Sequence, residues 1–267
     1  MKQADRRMPV LFIGHGSPMH AVHDNTFTKT LARLGREIPA PKAVLCISAH
    51  WLTERTWATH MPKPKTIHDF GGFPQELFDI EYPAPGSPLT AELLRDTVAD
   101  PAIRMDDEMW GLDHGTWAVL RHMYPKADVP VVQLSVYFEQ PGSYHLALGR
   151  KLAKLRDRGV LILGSGNVVH NLRTIKWSAH PEPYPWAVEF DAFVKRKTEE
   201  GDPEALAKDP AGMPGGAMSV PEPDHWYPYL YSLGAADGDP VHWEYEGLEN
   251  GSISMRCASF GLTVLKK

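Results

Sequence analysis

Five histidines stand where an imidazole is free to do chemistry. His15 lies between two glycines in "FIGHGSP", directly after an apolar run. His50 follows a second run in "VLCISAHW", and His170 a third in "VLILGSGNVVHN". His114 sits in "WGLDHGTW", where Asp113-His114-Gly115 opens a helical segment with Asp113 as candidate cap. His225 sits in "PEPDHWYPYLYSLGAA", again at a helix start, with Asp224 as candidate cap. Near neutral pH an imidazole both accepts and returns a proton, and it ligates zinc, copper, nickel or iron. Two histidines and a carboxylate with open positions suit non-haem iron(II) oxygen chemistry. The other histidines (His20, His23, His60, His68, His122, His145, His180 and His242) have no such placement and read as surface groups. His68 is the least settled, because "IHDFGGFP" reads as a loop able to wall a pocket.

Familiar alternatives are missing from the sequence. There is no HExxH, no CxxC, no Walker loop and no GxGxxG after a strand. "GSGNVVH" lacks the third glycine and the ribose carboxylate of a dinucleotide site. Gly164-Ser165-Gly166 is not the G-x-S-x-G elbow of a serine hydrolase.

The elements that must position these residues follow from hydrophobic periodicity. Strands are predicted at Pro9–Ile13, Ala43–Ser48, Val129–Val136, Val160–Gly164, Val241–Tyr245 and Ile253–Phe260. Amphipathic helices are predicted at Phe27–Ile38, Pro88–Val98, Gly115–Tyr124, Ser143–Arg158, Trp186–Glu199 and His225–Leu233. The alternation predicts an α/β fold: one mostly parallel, doubly wound sheet flanked by helices. Ligands of such sheets bind beyond the carboxyl ends of the strands, where His15, His50 and His170 all fall. The Pro/Gly-rich stretch "DPAGMPGGAMSVPEP" (209–223) reads as a long loop, since strand-like runs follow it. Residues 1–267 therefore read as a single domain.

Composition narrows the function further. A net charge of -5 and a pI near 6.2 give no electrostatic case for nucleic acid or an anionic membrane. No stretch approaches the ~20 apolar residues of a membrane span. The apolar run after "MKQADRR" is too short for a signal peptide. Cys46 and Cys257 read as buried free thiols, which fits a reducing cytoplasm.

Taken together, "GHGSP", "SAHW", "IHDFGGFP", "YPAPG", "WGLDHG", "GSGNVVHNL" and "PEPDHWYPYLYSLGA" resemble one family. It is the DODA-type (DOPA 4,5-dioxygenase-like) extradiol ring-cleavage dioxygenases of the class III, LigB-like superfamily. The resemblance runs from about Pro9 to Gly261. It implies a single α/β catalytic domain that opens a catechol, DOPA-like or another aromatic diol, with O₂ to a muconic semialdehyde.

The resemblance is residue-specific. His15 and His50 match two metal-binding histidines. His170 matches the proposed acid/base, with a place as fourth ligand left open. His114 matches a histidine that contacts substrate or oxygen. His225 stands where the wider superfamily has a metal-binding glutamate, and Glu222 and Asp224 lie near enough to complete the shell instead. Iron(II) is the implied metal for activity, and zinc also fits an imidazole-rich site. In this reading His170 takes the catechol proton, His114 donates a hydrogen bond to oxygen or substrate, and Trp51, Phe70 and Phe73 wall the substrate. Trp117 is weighed with them, and core packing is an equal reading for all four.

Three other functions compete. A tetrapyrrole metal chelatase also carries a His-Gly-Ser stretch after its first strand but has no need of the other motifs. A zinc-dependent hydrolase would turn over without oxygen. A non-catalytic metal-binding protein would not turn over at all.

Overall fold

The computed structural model describes residues 7–178 and 181–262; the charged start of the chain and His180 lie outside them. Its strands are β1 (Val10–Gly14), β2 (Ala43–Thr53), β3 (Trp57–Thr59), β4 (Arg104–Asp106), β5 (Val131–Tyr137), β6 (Val160–Gly166), β7 (Val241–Tyr245), β8 (Leu248–Glu249), β9 (Ile253–Ser254) and β10 (Cys257–Phe260). The α-helices are α1 (Thr26–Glu37), α2 (Gln75–Phe78), α3 (Pro88–Val98), α4 (His114–Met123), α5 (Gly142–Arg156), α6 (Pro185–Glu199), α7 (Pro203–Leu206), α8 (Gly216–Ser219) and α9 (Tyr227–Ala236).

The main sheet runs β4-β3-β5-β2-β6-β1-β10-β7. Its centre, β5-β2-β6-β1, is parallel. Antiparallel pairings flank it, β10 against β1, β7 against β10, and β3 against β5. Both faces of the central strands are buried, which is why they read as continuous apolar runs. Val10 and Phe12 point to one core with Leu45 and Ile47, under α3, α5, α6 and α9. Leu11 and Ile13 point to the other with Val44 and Cys46, under α1 and α4.

Three expectations need correction. The run Ile253–Phe260 is two strands, because β9 leaves the main sheet to pair with β8. The short strands β3 and β4 escaped notice, being three residues each with no apolar run. The 209–223 stretch is not plain loop but holds a 3-10 turn (Pro210–Gly212) and α8. Both cysteines are free and buried, as expected. No helix among the described residues is long and apolar enough to cross a membrane.

The surface reading of His145 also fails. It is fully buried in α5, its ring 3.8 Å from that of Tyr227, with Nε2 against Gln140 O at 3.2 Å. Burial holds its pKa down to about 3, against 6.5 in the unfolded chain. The unfolded state then binds the extra proton, so stability is full above pH 6.5 and falls as pH drops toward 3. From pH 7 to pH 5 this one group is expected to remove about 2 kcal/mol. Urea midpoints of wild type and His145→Gln at both pH values check it. The variant should lose less stability on acidification by about that amount, and an equal loss would refute the assignment.

Candidate metal centre and active site

His15 leaves the end of β1, and its backbone N–H donates to Gly166 O at 3.1 Å. Its ring Nδ1 faces Ser165 Oγ at 3.0 Å, and that hydroxyl donates to Gly115 O at 2.5 Å. The serine proton is thus spent on the carbonyl. Ser165 accepts from His15, which fixes the Nδ1–H tautomer and leaves Nε2 as a free lone pair.

His50 is not beyond its strand but inside it. Ile47 pairs with Leu134 and Leu52 with Val136, so β2 advances five residues while β5 advances two. This bulge re-aims the side chains at the edge of the site. His50 turns its Nε2 to His15 Nε2 at 3.1 Å and its Nδ1 to Asp69 Oδ2 at 3.4 Å. Trp51, one residue on, points to the opposite side, as strand alternation requires. It is buried and stacks on Trp110 at 5.6 Å, so its reading as a substrate wall is corrected.

His114 opens α4, with Asp113 as its cap, accepting from Thr116 N at 3.1 Å. Asp69 grips His114 twice, accepting from its backbone N at 2.8 Å and its Nδ1 at 2.9 Å. Neutral His114 therefore presents Nε2 as an acceptor.

His225 lies in the turn before α9, not within the helix. Asp224 does not cap that helix. Its carboxylate accepts from His225 N at 2.8 Å and lies 3.0 Å from His225 Nδ1. The "GSG" of β6 makes room for this turn. A Cβ on Gly166 would stand 2.3 Å from His225 O, and one on Gly164 2.4 Å from Pro228 O. His170 stacks on His225, centroids 3.5 Å apart and planes 12° apart, and its backbone N donates to Ser219 O.

The rings of His15, His50 and His225 form a near-equilateral triangle, with centroids 5.0, 5.2 and 5.0 Å apart. Ring nitrogens of His15, His50 and His114 lie within 4.8 Å of one another, and so do ligand atoms of His170, Asp224 and His225. Burial holds His15 and His50 well below the usual imidazole range, and the neighbouring histidines push the same way. Burial and His225 do the same to His170, against the pull of Asp224. Burial works against ionised Asp69, but its bonds to His114 carry it below the usual carboxylate range. The His15 Nε2 lone pair faces His50 Nε2 at 3.1 Å, a separation suited either to a hydrogen bond from the Nε2–H tautomer of His50 or to a cation shared by both nitrogens. Two nitrogens each about 2.1 Å from one ion, at roughly a right angle, have that separation. The donor set fits a borderline divalent metal.

All these histidines open onto one cavity of about 690 Å³, walled by Phe70, Phe73, Ile175 and Trp177. Phe70 and Phe73 both line this cavity. Trp117 does not, being fully buried with its Nε1 donating to Ile67 O. Glu222 is paired with Arg173 at the surface, whereas Asp224 lines the cavity. Sequence reasoning missed Asp69 and Ser165. Asp69 stood in the quoted "IHDFGGFP" loop, but nothing local says that it reaches a histidine 45 positions on.

A family model described as the catalytic LigB subunit of aromatic ring-opening dioxygenase matches residues 8–261. The chain belongs to the LigB family. It is 49% identical over 258 residues to the 4,5-DOPA dioxygenase extradiol of Escherichia coli K12, covering 96% of this chain and 95% of that protein. It is 38% identical over 256 residues to the enzyme of the same name from Beta vulgaris, covering 92% and 95%. A crystal structure of an uncharacterized Escherichia coli K12 protein superposes with a TM-score of 0.84 at 44% identity, covering 96% of this chain and 100% of that one. This LigB-family chain is an extradiol ring-cleaving dioxygenase of the metal-dependent kind. The chelatase and hydrolase readings end here.

Proposed function

We propose that the whole chain, 1–267, forms one catalytic domain in which His15, His50 and His225 hold iron(II), and that it opens a catechol with a DOPA-like side chain to a muconic semialdehyde. The observation that carries the ligand set is the triangle of rings with His15 and His50 turned Nε2 to Nε2. The relatives named for DOPA support the substrate class. Iron(II), when bound, supplies the electron path between a catechol and O₂, whose direct reaction is spin-forbidden.

The residues do the rest. His170 is neutral at pH 7 because burial disfavours its charged form, so it is ready to take a catechol hydroxyl proton and later return it. His114 accepts a hydrogen bond from the second hydroxyl at Nε2, and Asp69 stabilises the imidazolium if the proton crosses. Phe70 and Phe73 clamp the ring and exclude water from the reacting edge. Holding both reactants in one complex replaces an encounter of separate molecules. Zinc fits the same imidazoles and fills the site without activity. The second reading makes His114 the third ligand, since its nitrogen groups with those of His15 and His50.

The test is anaerobic reconstitution with iron(II), addition of DOPA, then ¹⁸O₂. The expected result is a yellow semialdehyde carrying both labelled atoms. Turnover sustained without oxygen would overturn the proposal. Metal content of His225→Ala against His114→Ala separates the two ligand sets.

A further inference from the structure

The carboxylates on the cavity are unequal. Asp69 and Asp224 are each bound to a histidine, His114 and His225. The third, Glu249, comes from β8 and also lines the cavity. It is held by His20, which the sequence left at the surface but which is buried in the 3-10 turn Pro18–Ala21. The orientation of this pair follows from the cap of α1. Asn25 Oδ1 accepts from Thr28 N at 2.9 Å, so the amide turns its NH₂ group to His20 Nδ1 at 3.4 Å. His20 Nδ1 is then the acceptor, and Nε2–H donates to Glu249 Oε2 at 3.0 Å. Glu249 is thus steered by one oxygen, while Oε1 has no protein partner among the described residues.

No lysine or arginine lines the cavity among the described residues. The nearest along the chain are engaged elsewhere. Arg173 pairs with Glu222 at 2.9 Å, and Lys176 donates to Glu182 O and lies over the Tyr184 ring. A carboxylate on a substrate side chain would find no countercharge here, and an ammonium would find Glu249.

We propose that Glu249, oriented by His20, is the receptor for a cationic group on the catechol side chain. The substrate class is then a catechol whose side chain carries an ammonium, alone or beside a carboxylate as in DOPA, rather than one that carries a carboxylate only. The proposal rests on the dioxygenase reading above and adds the specificity of the same cavity.

The test compares probes that share one catechol head: dopamine, 4-ethylcatechol and 3-(3,4-dihydroxyphenyl)propionate. Each is measured twice, as kcat/KM with the iron-loaded enzyme and as Kd with the zinc-loaded protein. Wild type should favour dopamine over the propionate by at least about tenfold, one charge attracted and the other repelled. Glu249→Gln should lower the ratio of dopamine to 4-ethylcatechol about fivefold, the upper end for a half-exposed ion pair. Glu249→Lys should reverse the order and favour the propionate, a gain that misfolding cannot produce. A wild-type ratio near one, or ratios unmoved in both variants, would overturn the subsite. Absence of oxygen uptake with every probe would count against the dioxygenase reading alone, since the binding ratios still decide the role of Glu249.

Discussion

Exchanging iron(II) for zinc is expected to abolish oxygen uptake while leaving catechol binding measurable. The three imidazoles proposed as ligands accept either ion, because nothing in a nitrogen shell discriminates strongly between them. The Nδ1 of His15 is held by Ser165, so its Nε2 lone pair is aimed before any metal arrives, and the carboxylates of Asp69 and Asp224 lie 3.4 and 3.0 Å from the Nδ1 atoms of His50 and His225. Carboxylate and hydroxyl partners of this kind set ligand orientation and basicity. Zinc has no accessible redox change, so it can hold the diol but not pass electrons from it. The measurement is oxygen consumption and semialdehyde absorbance on chelator-stripped protein reloaded with each ion, beside catechol titration of the zinc form. Comparable turnover with zinc would remove iron from the mechanism.

The second large effect belongs to His170. Replacement by alanine is expected to lower kcat by about 10²–10⁴-fold, the usual range for losing a general acid/base. Metal content should survive, since the proposed ligands His15, His50 and His225 are untouched. The stack of His170 on His225 at 3.5 Å makes packing a concern, so His170→Phe, which keeps a ring there, belongs in the comparison. Both variants should lose turnover alike if proton transfer is the role. If metal is lost with His170, it is a ligand, and His114 with Asp69 becomes the base.

The sequence carried much of this site because strand ends are legible. An apolar run followed by Gly-His-Gly announces both a strand and a side chain beyond it, and the parallel order of β1, β2 and β6 then puts their ends together. What could not be read was partnership at a distance. Asp69 and Ser165 have no local signal of the histidines they orient, and His20 looks like any turn residue until Glu249 comes to it from the far end of the chain. His50 and Trp51 show a finer limit. The motif is contiguous, but a bulge and the alternation of the strand send the two side chains to opposite sides. In β6 the glycines resembled a nucleotide loop, whereas their lack of side chains serves the close seat of the His225 turn.

That seat has a consequence for biosynthesis. β1 is made before both of its neighbours, β6 and β10, the latter near the end of the described chain. The turn bearing His225 rests on Gly166 and ties its carbonyl to Asn167 N. A nascent chain therefore carries His15 and His50 into solution long before His225, the third proposed ligand, emerges. Non-local pairing of this order is slow and leaves strand edges open meanwhile. Metal captured during synthesis would meet only an incomplete set of imidazoles. The ion that a cell installs is thus decided only once the segment bearing His225 has docked, and by whichever metal is then at hand.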